Sequence, residues 1–246
     1  MTRAAVLRWL LPALLLTGAP PAGAGEEPRA VIELFTSQGC SACPPADRII
    51  GDLSRDPSVI ALSLPVTYWD YLGWKDTLAH AAFTERQRAY AGVRGDRQVY
   101  TPQAVINGAS AVVGSDRSAL EHTIRDPGTA VSLPVPIRSV VEDDRIRIEV
   151  GAAPDAGRTA ELWLLPVSRS REVAIARGEN RGKTVTYRNV VRGMHHVGHW
   201  TGAPARYEVP RGLLQASGDA DSYVLVLQAE YGGPGRILGA AKGPGL

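Results

Sequence analysis

The sequence predicts an α/β half followed by an all-β half, and three observations carry that prediction. From residue 30 to residue 125, apolar runs alternate with segments of helical period, the pattern of parallel strands joined by crossover helices. Asn107-Gly108 lies between two apolar runs near the end of that half and is a strong hairpin signal. From Pro127 onward the texture changes to short alternating runs, broken often by glycine and proline. The fold class is therefore α/β plus β, with the second part reading as a small antiparallel β-sandwich domain.

The first residues read as an export signal. Arg3 and Arg8 give a basic start, residues 7–16 are apolar apart from Arg8 and Pro12, and Ala22-Gly23-Ala24 offers a cleavage point. A signal peptide over 1–24 implies a periplasmic or secreted protein with no membrane contact after cleavage; an uncleaved anchor is the alternative. About 220 residues then remain, enough for one large or two small domains. The net charge of +2 is close to balance and the basic residues are scattered, so no nucleic-acid partner is expected. Oligomeric state is not legible.

Residues 30–35 form a buried apolar run, followed by a Cys-x-x-Cys turn and a helix in which Ile49, Ile50 and Leu53 fall at helical spacing. A second, nearly continuous apolar strand spans 59–66. The segment 67–76 is dense in aromatics and has no clear period. Asp76 or Thr77 is placed to cap a helix over about 78–93, striped by Ala79, Ala82, Phe83, Arg86, Ala89 and Tyr90. Strands at 99–106 and 109–114 flank the Asn-Gly turn. Ser115 or Asp116 caps a last helix with Leu120 and Ile124 inward. The order is β-α-β-α-β-β-α over a domain of 27–128. A second domain of 131–246 then carries strands at 135–141, 145–150, 160–167, 183–191, 206–209, 223–229 and 237–241.

Cys40 and Cys43 are the only cysteines, and both lie at the first strand-to-helix turn. Three readings compete: a redox pair, a permanent staple, and a metal clip of the copper-chaperone kind. A staple closing so short a loop stabilises by about 2 kcal/mol, against about 3 for fifteen residues, and Ser41-Ala42 adds no imidazole or charge. The redox reading is favoured. It needs no cofactor beyond the disulfide itself.

The residues also carry a resemblance. The element order, the placement of Cys40 and Cys43, and a proline just before the hairpin resemble the thioredoxin fold. More closely, residues 33–47, 68–76, 100–103 and 179–182 are similar to a bacterial secreted, thioredoxin-like family catalogued as domain of unknown function 1223. The resemblance implies a thiol–disulfide oxidoreductase acting on protein thiols or a redox partner protein. It also implies that Pro102 is cis and lies against the sulfurs, with the Thr101 backbone free to pair with an extended substrate. A cysteine at a helix N-terminus is favoured as thiolate by the unpaired N–H groups there. Cys40 is then the attacking thiol and Cys43 resolves the mixed disulfide. The expected site is Cys40, Cys43, Thr101 and Pro102. The rival from another class is a non-catalytic binding module with a fixed bridge or a metal site.

Weaker candidates remain. A buried carboxylate able to move a proton to Cys43 would be useful. Glu33 is equally placed for burial or an exposed edge, and Asp47 reads as a first-turn carboxylate favouring the helix dipole. Tyr68, Trp69, Tyr71 and Trp74 read as a satellite core, or as a wall beside the sulfurs. Asp70 and Lys75 read as surface groups. His195, His196 and His199 sit in what reads as a solvated loop, and 179–182 reads as a charged turn making a domain contact.

Overall fold

The computed structural model describes residues 27–126, 133–155 and 157–246. The expected signal segment, and most of the expected boundary between the halves, lie outside the described residues. The protein is a mixed α/β structure with a large sheet and few helices.

The first half builds on β1 (Ala30–Thr36) and β2 (Val59–Pro65), which pair in parallel and are buried along their whole length. Strands so apolar need cover on both faces. α1 (Pro44–Leu53) covers one face with Ala46, Ile49 and Ile50 against Ile32 and Leu34. α2 (Ala81–Arg94) covers the other with Phe83 and Tyr90 against Phe35, Leu62 and Leu64. β3 (Gln103–Ile106) runs antiparallel to β1 and pairs with β4 (Ser110–Val113). Asn107 and Gly108 both take positive φ, 49° and 65°, as the tight hairpin turn demands. Gly108 is required twice over, because a Cβ there would lie 2.3 Å from the Gly235 carbonyl. α3 (Arg117–Arg125) is capped by the Asp116 carboxylate, which accepts from the Ala119 N–H at 3.0 Å.

α2 begins later than its apolar stripe predicts. Its cap is His80, whose Nδ1 accepts from the Ala82 N–H. Neither Asp76 nor Thr77 serves, because both are engaged at the Cys-x-x-Cys turn described below.

The second half contributes β5 (Ile137–Glu142), β6 (Arg145–Val150), β7 (Ala160–Ala174), β8 (Thr184–Val191), β9 (His195–Trp200), β10 (Ala205–Pro210), the short α4 (Gly212–Ala216), β11 (Ser222–Glu230) and β12 (Pro234–Lys242). The large sheet has the order β12-β11-β7-β8-β2-β1-β3-β4, with β9 also paired to β7. It therefore passes through both halves. The junction is the parallel pairing of β8 with β2 at Ser63 and Val190. Ser63 Oγ donates to the Arg188 carbonyl at 2.8 Å, and Asn189 Nδ2 donates to the Ala61 carbonyl at 3.0 Å. One core cluster joins Val31, Ile60 and Leu62 to Leu165, Val191, Val224 and Ile237. A second sheet, β10-β6-β5, packs Ile146, Ile148 and Val150 against Leu162, Leu164 and Leu225 on the face of the large one. The face it covers is the part of the large sheet to which β7 and β11 contribute, a sheet that continues into the first half.

The histidine segment differs from its reading as a loop. β9 pairs antiparallel with β7 and buries Trp200. Its polar sequence hides the period of 2, and Gly198 is small because the Tyr207 ring lies against it.

A disulfide under a cap at a helix N-terminus

Cys40 and Cys43 are joined as a disulfide, with Cα atoms 5.4 Å apart. Cys43 is the N-cap of α1, and Pro44 and Pro45 take the first helical positions, where a missing N–H costs no hydrogen bond. The Cys43 N–H donates to the Cys40 carbonyl at 3.2 Å, and the Asp47 N–H donates to the Cys43 carbonyl at 3.1 Å. Ser41 and Ala42 are exposed, yet Cys40 itself is only 1 % exposed and Cys43 not at all.

The Thr101–Pro102 peptide bond is cis. The Thr101 carbonyl lies 3.7 Å from Cys40 Sγ; a disulfide sulfur carries no hydrogen, so this is a contact without a hydrogen bond. Thr101 Oγ1 accepts from the Trp69 indole N–H at 2.8 Å. Trp69 presses on the motif from the same side, since a Cβ on Gly39 would lie 3.0 Å from Trp69 Cβ. The four expected site residues are thus brought together.

Gln38, fully buried, organises the rest. Its N–H donates to Asp76 Oδ2 at 2.8 Å and its Oε1 accepts from the Trp74 indole at 2.8 Å. Its Nε2 donates to Thr77 Oγ1 at 3.2 Å. Asp76 also accepts from the Leu78 N–H, and burial holds its carboxyl above the ordinary value. Asp70 is no idle surface group, because its Oδ1 accepts from the Asp76 N–H. Of the aromatics, Trp69 and Trp74 flank the motif, whereas Tyr71 is 80 % exposed. Apart from one 3-10 turn at Asp70–Leu72, the segment 68–78 is irregular, and its polar atoms wrap this turn instead of following a period.

From the second half, the turn between β7 and β8 reaches the same place. Asn180, buried, donates both Nδ2 hydrogens: to the Gln38 carbonyl at 2.9 Å and to the Cys40 carbonyl at 2.8 Å. Glu179 Oε2 accepts from the Ser41 N–H at 3.3 Å. Gly178, at a φ of 75°, lies against Trp74. This is the contact expected of residues 179–182, and its target is the Cys-x-x-Cys turn itself.

Burial and bonding separate the two candidate proton carriers. Glu33 is buried but its oxygens are taken by Arg86 and Tyr90. Asp47 is not the exposed first-turn carboxylate expected of its position. It faces inward, Oδ1 accepts from Thr36 Oγ1 at 2.8 Å, and Oδ2 has no hydrogen-bond partner. Burial pushes its carboxyl up to about 7, the Thr36 hydrogen bond opposing and the Asp76 charge adding to the rise.

His196 Nε2 and His199 Nδ1 lie 2.5 and 2.6 Å from the two oxygens of Glu161, a partner on β7 far away in sequence. No group of three or more histidine, cysteine, aspartate or glutamate side chains among the described residues has an arrangement that would hold a metal ion.

Fold and site together define a mixed α/β protein with a covered Cys-x-x-Cys disulfide at a helix N-terminus. The chain belongs to the family described as protein of unknown function (DUF1223), which it matches over residues 31–228. It is similar to a crystal structure of an Agrobacterium tumefaciens protein from a structural-genomics consortium, at 33 % identity and a TM-score of 0.80, covering 91 % of this chain and 97 % of that one. HBP35 of Porphyromonas gingivalis shares the fold at 10 % identity and a TM-score of 0.59, over 88 % of this chain and 74 % of that one. No curated protein matches the chain.

Proposed function

We propose that the protein is an exported thiol–disulfide oxidoreductase that exchanges disulfides with protein thiols through Cys40 and Cys43, with no other cofactor. The observation that carries the proposal is the pairing of this disulfide at the α1 N-terminus with a buried, half-unpartnered Asp47 one turn behind it. The strand order β2-β1-β3-β4, with α1 and α2 on opposite faces, supports a thioredoxin-like reading of residues 27–128, and the layered strands of 131–246 are read as its second, sandwich-like domain. The basic-then-apolar start of the chain supports export to the periplasm or beyond.

In this reading a partner thiolate attacks Cys40 Sγ, the Cys40–Cys43 bond breaks, and its electron pair stays on Cys43 Sγ. The Asp47 carboxyl supplies the proton that Cys43 takes up. A second partner thiolate attacks the mixed disulfide, freeing Cys40 and leaving the partner oxidised. Run in reverse, Asp47 takes the Cys43 proton and Cys43 displaces the partner. Thr101 contributes its backbone beside the sulfur, and Pro102 positions it.

Cys43→Ser should trap partners as mixed disulfides on Cys40 that survive non-reducing electrophoresis and vanish on reduction, while Cys40→Ser should trap none. Absence of any Cys40 adduct, together with a reduction potential below about −300 mV, would sink the proposal. It would favour a second reading, for which the burial of Cys40 speaks: a fixed bridge holding the turn on which Asn180 docks.

A further inference from the structure

The burial of Cys40, with Asn180 bonded to its carbonyl, poses a question that the exchange chemistry leaves open. An attacking thiolate must approach Cys40 Sγ in line with the bond it breaks, and the approach to a 1 % exposed residue is closed. The turn that bonds the backbone on both sides of Cys40 is well made. The Ile175 N–H donates to the Lys183 carbonyl at 2.9 Å, the Gly182 N–H to the Ile175 carbonyl at 2.8 Å, and Lys183 Nζ to Asn180 Oδ1 at 2.8 Å. These bonds lie within the turn, so it can leave the motif as a unit without unravelling. What it would leave behind is a set of backbone groups: the Gln38 and Cys40 carbonyls and the Ser41 N–H.

The two carbonyls, two residues apart and both turned to the one Asn180 amide, have the spacing of acceptors along a strand edge, whereas the Ser41 N–H belongs to the same peptide group as the Cys40 carbonyl and points the other way. Asn180 satisfies the two carbonyls with an amide NH2, the donor that a peptide group also supplies. Glu179 meets the Ser41 N–H separately with a carboxylate oxygen. A small thiol without N–H groups cannot replace the cap, since buried carbonyls left without donors are costly. An extended chain can.

We propose that the Glu179–Asn180 turn is an internal stand-in for substrate backbone, and that the site exchanges with cysteines in extended, unfolded or flexible, protein segments that displace it. The inference rests on the exchange activity proposed above. Asn180 is in this account a gating and positioning residue, touching neither sulfur in the reaction.

The test compares two probes on oxidised protein, with the Cys43 thiol released by attack on Cys40 captured by iodoacetamide. One probe is an uncharged decapeptide with a single central cysteine. The other is mercaptoethanesulfonate, whose only hydrogen-bond donor is its thiol. At matched thiolate concentration the peptide should react about tenfold faster with the native chain, and Asn180→Ala should raise the small thiol's rate by about tenfold while changing the peptide's far less. Equal small-thiol rates in the two proteins would overturn the proposal. Where the small-thiol rates are equal, Cys43→Ser separates the two failures. Given the same peptide as its disulfide-linked dimer, Cys40 should attack one sulfur, keep one peptide as a mixed disulfide and release the other as thiol. Trapping leaves the exchange reading standing with the gate alone failed, and no trapping means that the exchange reading has failed. Should Asn180→Ala not fold, hydrogen exchange of the Asn180 carboxamide in the native chain decides. Exchange about a hundredfold faster than global unfolding allows supports a cap that lifts, and exchange only through global unfolding overturns it.

Discussion

Arg86→Ala is expected to destabilise the protein by about 3–5 kcal/mol, the usual cost of leaving a buried charge without its partner. Its Nε and Nη2 donate to Glu33 at 2.6 and 3.2 Å, and Nη2 also donates to Tyr90 Oη at 2.7 Å and Gln228 Oε1 at 2.8 Å. The Tyr90 hydroxyl in turn donates to Glu33 at 2.5 Å and accepts from Gln228 Nε2. Arg86 and Glu33 are 7 % and 1 % exposed, so solvent screening is slight. The network ties β1 and α2 to β11 of the second half, and its loss should be felt as one cooperative event across both. At about 2–4 °C per kcal/mol for a chain of this size, thermal melting should fall by about 10 °C. The pair itself is not what holds the fold. Replacing both, Glu33→Leu with Arg86→Met, removes two desolvated charges together and should recover most of the loss. A single variant melting within about 1 kcal/mol of the native chain, or a double variant as unstable as the single, would show that the charge is compensated elsewhere.

That network also shows where the sequence stops being legible. The strands β1 and β2 are readable because a parallel strand covered on both faces is apolar throughout, and residues 30–36 and 59–65 are nearly so. The Asn107-Gly108 turn is readable because both positions need positive φ. α2 is readable as a helix with Arg86 on its striped face, but that face also buries Thr84 and Gln87, which a hydrophobic stripe cannot announce, and the stripe does not tell what Arg86 meets. Their partners lie on β1, β3 and β11 or in loops, and only the assembled sheet brings them near. The same holds at the site. Cys40, Cys43, Thr101 and Pro102 announce themselves by spacing and resemblance, whereas Asn180 is one amide in a charged turn 140 residues away from Cys40. No periodicity marks it. The joining of the two halves into one sheet is equally silent, because it rests on a single parallel bridge at Ser63 and Val190.

Asp47→Asn should change both the pH dependence of stability and the release of partner, and the two readouts separate its roles. In the unfolded chain an aspartate titrates near 3.9; in the folded protein burial pushes Asp47 up to about 7. Between these values the folded state holds a proton that the unfolded state has lost, so stability falls as pH rises through that window. Full stability from this group is present below about pH 4, and the penalty is complete above about pH 7. The difference of about three pH units corresponds to about 4 kcal/mol. The amide of the variant cannot ionise, so its stability minus that of the native chain should climb by that order from pH 4 to pH 8, whatever constant offset the amide introduces. Exchange should suffer in the opposite sense. With no group to take the Cys43 proton, displacement of a partner from its mixed disulfide with Cys40 should slow by about a hundredfold at neutral pH. It should recover toward pH 9, where thiols ionise unaided. A stability difference that stays level with pH would mean that Asp47 is ionised in the folded protein. A release rate unaffected by the substitution would mean that the Cys43 proton leaves by another route, and that the buried carboxyl behind the disulfide serves packing alone.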